Sequence, residues 1–209
     1  HFVLEERMAE HPEKVIDFLQ DLLVKSKPFA QREFETLEKF AQNQGLDHLE
    51  AWDASFYSEK LRKQRFNLDD ERLKPYFKLE QVLNGIFQIS QKLFGLQFEK
   101  SESIEVYHPE VETFIVKDTE GKLVAVLYTD FFPRNGKRNG AWMTSFKNQW
   151  IEKGINSRPH ISIVCNFTKP TSTKPSLLTF QEVTTLFHEF GHALHGMLAN
   201  TTYPSLSGT

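Results

Sequence analysis

The sequence predicts an α+β fold that is predominantly α-helical, with a small antiparallel β-sheet beside a long helix near the C-terminal end. Three observations predict it. Residues 1–95 carry apolar positions at helical spacing, residues 111–167 contain short runs rich in β-branched and aromatic side chains, and residues 177–198 form one long apolar segment. We therefore expect a helical region at 1–95, followed by a region at 96–209 that holds the sheet and the last helix.

The composition predicts a soluble globular chain. Its 209 residues are 39% hydrophobic and include 19 Phe, which is enough for a substantial core. The net charge is −3, from 25 basic and 28 acidic residues, and no basic stripe is visible. This charge pattern gives no support for nucleic acid as a partner. No apolar run reaches the roughly 20 residues that span a bilayer, so we expect no membrane partner either.

The single cysteine and the two chain ends bear on location and completeness. Cys165 has no second cysteine to pair with, which favours a reducing compartment. We therefore expect a cytoplasmic protein, with the periplasm as the alternative.

The chain starts at His1 without a signal-peptide pattern, and residues 207–209 read as part of a loop. We expect the chain to be a piece of a longer protein, truncated at both ends.

The first helix is predicted between His1 and about Gly45, with Pro12 in its first turn and Gly45 as a C-cap. Its apolar positions recur at helical spacing: Val15, Phe18, Leu19, Leu22 and Leu23. A second helical stretch carries Trp52, Phe56, Tyr57 and Leu61.

Two more helices are predicted before residue 95. Asn67-Leu68-Asp69 is suited to start a short helix that breaks at Pro75. The next helix has an apolar face and ends at Gly95. The residues of that face are Leu79, Val82, Leu83, Ile86, Leu93 and Phe94.

The pattern changes to β after Gly95. Strands are predicted at Val111–Val116 and Leu123–Tyr128, joined by a hairpin turn at Asp118–Gly121. A further strand is predicted at Ile161–Phe167. It is either an ordinary core strand or an exposed edge that binds an extended peptide through its main chain.

The last helix is predicted from Thr179 to about Ala199, because Thr179-Phe180-Gln181-Glu182 has the form of a capping box. From Pro175 to the end of the chain there is no Lys or Arg, and the only acids are Glu182 and Glu189. We therefore expect this helix to be buried by other elements on all sides. A carboxylate in the middle of such a helix is costly unless it is paired or functional, which favours a functional role for Glu189.

His188-Glu189-Phe190-Gly191-His192 lies within this helix and has the H-E-x-x-H form. Histidines four apart on a helix point the same way, so both imidazoles can reach one metal ion. Zinc suits two neutral imidazoles and a carboxylate with one position left for water, and Glu189 would take the proton from that water. The alternatives are a pair of hydrogen-bonded core histidines and, for Glu189, a buried salt bridge.

Two other groups are weighed as candidates. His195 lies one turn further on the same side, but three ligands from one straight helix make poor tetrahedral geometry, so we expect a packed or second-sphere histidine. Arg134, Lys137 and Arg138 form a basic loop that could hold a peptide carboxylate, although a solvated loop is the favoured interpretation.

The segment Phe187–Gly196, together with Asn166-Phe-Thr-Lys-Pro170 and Lys174-Pro-Ser-Leu-Leu-Thr-Phe180, resembles the thimet oligopeptidase family of zinc peptidases. Within that family it is most similar to the peptidyl-dipeptidase Dcp branch. The likeness extends from Val3 onward. Further matches are Tyr107-His-Pro109, Tyr128-Thr-Asp-Phe-Phe-Pro-Arg134, Gly140-Ala-Trp-Met143 and Tyr203-Pro-Ser-Leu-Ser-Gly-Thr209.

This resemblance implies a zincin-like metallopeptidase: a large, mostly helical ellipsoid with a deep channel and a small sheet beside the zinc helix. It implies that His188 and His192 bind one Zn²⁺ and that Glu189 is the general base. The family's third ligand, a Glu on a following helix, and its transition-state-stabilising Tyr and His are all expected beyond Thr209. The implied partners are short peptides, and the implied full-length protein is a monomer.

The function predicted from the resemblance is zinc-dependent hydrolysis of short oligopeptides. A peptidyl-dipeptidase that releases C-terminal dipeptides is favoured, and an oligopeptidase A-like endopeptidase is the alternative. A non-enzymatic alternative is a helical interaction module with an inactive motif, against which the intact Glu189 argues. We expect the 209 residues alone to bind zinc very weakly and to have no peptidase activity, because two ligands are too few for a catalytic zinc site.

Overall fold

The computed structural model describes residues 6, 9–66 and 70–208. The chain divides into two compact units, His1–Asp69 and Asp70–Thr209. The fold mixes helix and sheet as predicted, and helix is the more abundant of the two among the described residues. Within those residues, no helix has both the length and the apolar character to cross a membrane. The predicted change from helix to strand at residue 95 lies within the second unit and not between the two units. The division of the chain into regions 1–95 and 96–209 stays a prediction.

The first unit contains two helices that contact each other, α1 at Pro12–Gln42 and α2 at Ala54–Phe66. Pro12 occupies the first turn of α1 as predicted, but the helix does not begin at His1. Its C-cap is Asn43, whereas Gly45 adopts a positive φ of 92° in the turn that follows. The predicted C-cap was therefore wrong by two residues, because the helix ended before the glycine.

The second unit begins with α3 at Asp70–Leu73, followed by a 3₁₀ turn at Lys74–Tyr76. The N-cap predicted at 67–69 lies outside the described residues. Helix α4 runs from Leu79 to Phe94 and ends at Gly95, as predicted. Gly95 adopts a φ of 70°, and its N–H donates to the Gln91 carbonyl, which is the left-handed helix ending that glycine favours.

The second unit also contains two sheets. The strands are β1 at Gln97–Ser101, β2 at Glu112–Lys117, β3 at Leu123–Asp130, β4 at Trp142–Lys147, β5 at Trp150–Glu152, β6 at Ile155–Ser157 and β7 at His160–Val164. Strands β5 and β6 form a small hairpin, and the main sheet has the order β1-β2-β3-β7-β4. Three of its four pairs among the described residues are antiparallel, as predicted, and β3 and β7 are parallel. Sequence periodicity missed β1, β4, β5 and β6.

Strand β7 lies between β3 and β4, with Ile161 and Ile163 fully buried. The core-strand interpretation of Ile161–Phe167 is therefore correct, and the edge-strand interpretation is wrong. The residues from Cys165 to Phe167 continue beyond the strand. Among the described residues, β4 is the edge of the sheet on this side.

The last helix, α5, runs from Phe180 to Met197 and contacts β7, β4 and β3. The larger apolar core among the described residues lies between one face of the sheet and the helices α4 and α5. Its central residues include Ile86, Leu127, Ile161, Leu186 and Phe190. A smaller cluster of Val111, Val126 and Tyr128 lies apart from this core.

Candidate metal centre

The N-terminus of α5 is held by the predicted capping box. The Thr179 hydroxyl accepts a hydrogen bond from the Glu182 N–H (3.1 Å), and the Glu182 carboxylate accepts one from the Thr179 N–H (2.7 Å). Just before the cap, the Leu178 N–H donates to the Phe77 carbonyl and the Leu79 N–H donates to the Ser176 carbonyl. These bonds fix the first turn of α5 against the start of α4.

The C-terminal half of α5 approaches the sheet closely at Gly196. A Cβ added to Gly196 would lie 2.8 Å from Cδ1 of Ile161, which is closer than a real Cβ contact. The absence of a side chain therefore allows the helix to lie directly on β7. Gly208 also passes near this point, since a Cβ there would lie 3.3 Å from Cα of Gly196.

His188 and His192 lie on the exposed side of α5, with their Nε2 atoms 3.2 Å apart. Two nitrogens bound to one tetrahedral zinc at 2.0–2.1 Å are separated by about 3.3 Å. The separation of the two Nε2 atoms therefore matches that of two ligands on one zinc ion. The same separation also suits a hydrogen bond from one neutral ring to the other. Geometry and donor type are both compatible with the two-histidine half of a zinc site.

Glu189 lies between the exposed histidines and the core, and it is 9% exposed. Among the described residues, no hydrogen bond or ion pair reaches its carboxylate. A salt bridge, which was the structural alternative for this residue, is therefore not observed within the described part of the chain. An ionised carboxylate is costly to bury without a partner, so this side chain is better explained by function than by packing.

The exposed histidine side of α5 corrects one prediction. We expected the helix to be covered on all sides, yet Phe187, His188, His192 and His195 are all exposed. The absence of lysine and arginine from this helix therefore does not mean that it is completely buried. We had expected His195 to be a packed or second-sphere histidine. Its exposure rules out the packed interpretation. Among the described residues, no group of three or more His, Cys, Asp or Glu side chains is arranged to hold a metal.

The basic loop after β3 is largely exposed, as predicted, but its Arg134 and Lys137 side chains are held by Asp130. Asp130, at the end of β3, accepts two hydrogen bonds from Arg134 (2.7 and 2.8 Å), one from Lys137 (2.9 Å) and one from the Tyr107 hydroxyl (2.9 Å). The side chains of Asp130 and Lys137 are each 3% exposed. Burial by itself would raise the pKa of Asp130, but these hydrogen bonds outweigh it and hold the pKa below its usual value.

Lys137 also connects the ends of two neighbouring strands. Its ammonium donates to the carbonyls of Asp130 (2.9 Å), Phe132 (2.8 Å) and Cys165 (2.6 Å). Arg138, the third basic residue of the loop, lies 4.8 Å from the Trp142 ring. Sequence reasoning missed this network. An acid at the end of a buried strand, followed by cations four and seven residues later, was the available signal.

Cys165 follows β7 and is completely buried. Burial, with a smaller contribution from the negative charge of Glu189, raises the pKa of its thiol from 9.0 to about 12. This cysteine is therefore a protonated packing residue close enough to Glu189 to feel its charge. It is not a nucleophile.

A helix that presents H-E-x-x-H on an open side, with its other side packed on a sheet, is the arrangement of zinc metallopeptidases. Comparison with known proteins agrees. The family model described as "Peptidase family M3" matches residues 1–209, and the chain belongs to that family. This membership confirms the predicted resemblance.

Individual relatives carry peptidase names. The chain is 38% identical over 204 residues to oligopeptidase A of Escherichia coli K12, covering 97% of this chain and 30% of the relative. It is 40% identical over 208 residues to dipeptidyl carboxypeptidase of the same organism, covering 98% and 30%. It is 40% identical over 195 residues to the organellar oligopeptidase A of Arabidopsis thaliana, covering 89% and 25%. The chain thus spans less than a third of the length of these relatives.

Proposed function

We propose that the polypeptide to which these residues belong is a zinc-dependent peptidase that hydrolyses short oligopeptides. The observation that carries this proposal is the His188–His192 pair, 3.2 Å apart on the open side of α5, with Glu189 beside it, buried and without a partner among the described residues. Family membership and the names of the relatives support it. The resemblance implies that the third zinc ligand is a glutamate beyond Thr209.

His188 and His192 would hold the zinc ion through Nε2. Zinc supplies Lewis acidity, which polarises the scissile carbonyl and makes water a stronger acid. The Glu189 carboxylate then accepts a proton from the attacking water and returns it to the leaving nitrogen. Its position between the exposed histidines and the core places this carboxylate next to the proposed metal site.

The edge strand β4 is the surface that we propose for the peptide backbone. Within the described residues it has a sheet neighbour on one side only, so its other edge offers N–H and C=O groups to an extended chain. A cavity of about 330 Å³ lies where β4 meets the end of α5, and its lining includes Met143, Ser145 and Gly196. The sequence analysis offered this role to the Ile161–Phe167 strand as one of two alternatives, and the strand order favours β4 instead.

Two modes of cleavage follow from the relatives. We propose release of C-terminal dipeptides, in agreement with the relative named dipeptidyl carboxypeptidase. Internal cleavage, as the oligopeptidase A relatives suggest, is the alternative. Mass spectrometry of products from one peptide with a free C-terminus and the same peptide amidated distinguishes them. Release of C-terminal dipeptides predicts dipeptide products from the free peptide and little cleavage of the amidated one.

The test of catalysis is hydrolysis of a short peptide by the zinc-loaded parent polypeptide and its Glu189→Gln variant. Loss of a general base is expected to lower kcat by about 10²- to 10⁴-fold. Glu152→Gln, at an exposed position on β5, is the matched control and is expected to retain activity. Equal rates for the wild type and Glu189→Gln, or no turnover by either, would contradict the proposal.

We further propose a monomeric protein in a reducing compartment, most simply the cytoplasm. Support comes from the single, fully buried Cys165. The periplasm is the alternative, and cell fractionation of the parent protein distinguishes the two.

A further inference from the structure

Arg158, between β6 and β7, joins three separate parts of the second unit. Its Nε donates to the Val124 carbonyl of β3 (2.6 Å). Its Nη2 donates to the Met197 carbonyl (2.7 Å), and its Nη1 donates to the Ala199 carbonyl (3.2 Å). One guanidinium therefore connects the sheet, the last turn of α5 and the first residues after that helix.

These hydrogen bonds satisfy carbonyl groups at the C-terminal end of α5. The last carbonyls of a helix lack partners within the helix, and the helix dipole makes that end negative. Helix α5 has no Lys or Arg of its own, and the basic residue of its last turn is His195. Arg158 supplies the missing donors and the positive charge from the sheet.

Gln149 extends the same connection into the chain after α5. It is fully buried. Its Oε1 accepts from the Thr201 N–H (2.8 Å), and its Nε2 donates to the Thr201 carbonyl (3.2 Å) and to Oδ1 of Asn156 (2.9 Å). The same Asn156 oxygen accepts from Nη1 of Arg158 (3.1 Å). Arg158 and Gln149 thus belong to one hydrogen-bonded network.

The network fixes the end of a helix whose start is already fixed. The capping box at Thr179 holds the first turn, and Arg158 holds the last. A helix held at both ends cannot easily rotate about its axis or slide along the sheet. Such movements would displace the exposed His188 and His192 and change the direction in which the chain leaves the helix.

We propose that Arg158 and Gln149 are positioning residues of the metal centre. They hold the histidine pair and segment 199–201 in one fixed arrangement, so that a ligand from the chain beyond Thr209 meets the two imidazoles correctly. This inference rests on the proposed function, because it assumes a zinc site completed by that later segment. Neither residue contacts the substrate or the metal.

The test measures zinc affinity of the parent polypeptide by competition with a chromophoric chelator. Arg158→Ala is expected to weaken zinc binding about tenfold, the lower end of the range for supporting residues around a metal site. Arg158→Lys keeps the charge but loses the fork of donors, so a smaller loss is expected. Val116→Ala, in the fully buried core of β2, is the control that lowers stability without touching this network.

A purely structural role for Arg158 would not alter the ligand geometry of the folded protein. With Co²⁺ in place of Zn²⁺, the visible absorption bands report that geometry, and they are expected to shift in Arg158→Ala but not in Val116→Ala. Wild-type zinc affinity and an unchanged cobalt spectrum in Arg158→Ala would overturn the inference. If Arg158→Ala does not fold, unchanged values in Arg158→Lys overturn it. A wild-type polypeptide that binds no zinc would instead overturn the proposed function, and this inference with it.

Discussion

At the residue scale, the charged groups beneath the surface of the second unit fall into two kinds. Asp130 and Lys137 are buried together and fully engaged, with Arg134 and Tyr107 completing the group. Glu189 is buried without such partners among the described residues. The first kind of burial holds the fold together, whereas the second indicates a group that is available for chemistry.

The Asp130 network predicts a large effect on stability. Asp130→Asn is expected to lower the free energy of unfolding by about 3–5 kcal/mol, because it leaves the Lys137 ammonium buried without its counter-charge. Glu99→Gln removes half of an exposed ion pair with Lys117 and is the control, with an expected loss below about 1 kcal/mol. Urea unfolding measures both. Similar small losses in the two variants would contradict a structural role for the network.

The same network predicts a direction of pH dependence. The pKa of Asp130 is lower in the folded chain than in the unfolded chain, so its contribution to stability is present above the unfolded value. That contribution is lost as the pH falls through the lower, folded pKa. The difference in stability between wild type and Asp130→Asn is therefore expected to shrink below about pH 4. Urea midpoints measured from pH 7 to pH 3 test this, and a constant difference would contradict it.

Cys165 is expected to resist modification in the native chain. With its pKa raised to about 12 and no exposed surface, it has almost no thiolate at pH 8. Ellman's reagent should react fully only after denaturant is added. The raised pKa also predicts that stability falls as the pH rises from about 9 towards 12, since the unfolded thiol ionises first. Rapid labelling of the native chain would contradict this assignment.

At the element scale, most predictions that rested on local signals were correct, the C-cap predicted at Gly45 being an exception. Thr179-Phe180-Gln181-Glu182 located the start of α5, Gly95 located the end of α4, and Asp118–Gly121 located the turn between β2 and β3. Each of these signals acts through hydrogen bonds or backbone angles within a few residues. For that reason they can be recognised from a single sequence.

Predictions that depended on distant partners were less accurate. Whether β7 is a core or an edge strand is decided by β4, whose sequence does not alternate between apolar and polar residues and so gave no periodic signal. The prediction for the basic loop missed two partners: Asp130, four and seven residues before Arg134 and Lys137, which spacing could have indicated, and the Cys165 carbonyl, 28 residues after Lys137, which it could not. Tertiary contacts of this kind are not encoded in local spacing.

The capping box can be tested directly. Thr179→Ala removes the hydroxyl that accepts the Glu182 N–H, and it is expected to cost about 1 kcal/mol of stability. Thr184→Ala is the matched control on the same helix, at an exposed position whose hydroxyl bonds only to the Phe180 carbonyl. Its effect is expected to be within about 0.5 kcal/mol. Thermal or urea unfolding measures both, and equal losses would contradict a special role for the cap.

At the scale of the whole molecule, the motif identified the family, but the described residues contain only part of the proposed metal site. His188, His192 and Glu189 are brought to one helix, and no third metal ligand joins them within the described part of the chain. The chain covers about 30% of the length of its bacterial relatives. A site assembled from distant segments can be recognised from one segment, but its full ligand set cannot be derived from it.

This partial site predicts the behaviour of the 209 residues alone. They are expected to bind zinc only weakly and to show no peptide hydrolysis, because a catalytic zinc site needs three protein ligands. Calorimetric titration with zinc tests the first expectation, and incubation with a short peptide tests the second. Tight binding of one zinc per chain would show that residues within the chain complete the site.

The most direct test of the central claim is the zinc content of the purified parent polypeptide and of two variants. If His188 and His192 are ligands, the double variant His188→Ala/His192→Ala loses stoichiometric zinc, because two of the three protein ligands are gone. His195→Ala, on the same exposed side of α5, is the control and is expected to retain one zinc per chain. Full zinc content in the folded double variant, or its loss in His195→Ala alone, would contradict the account.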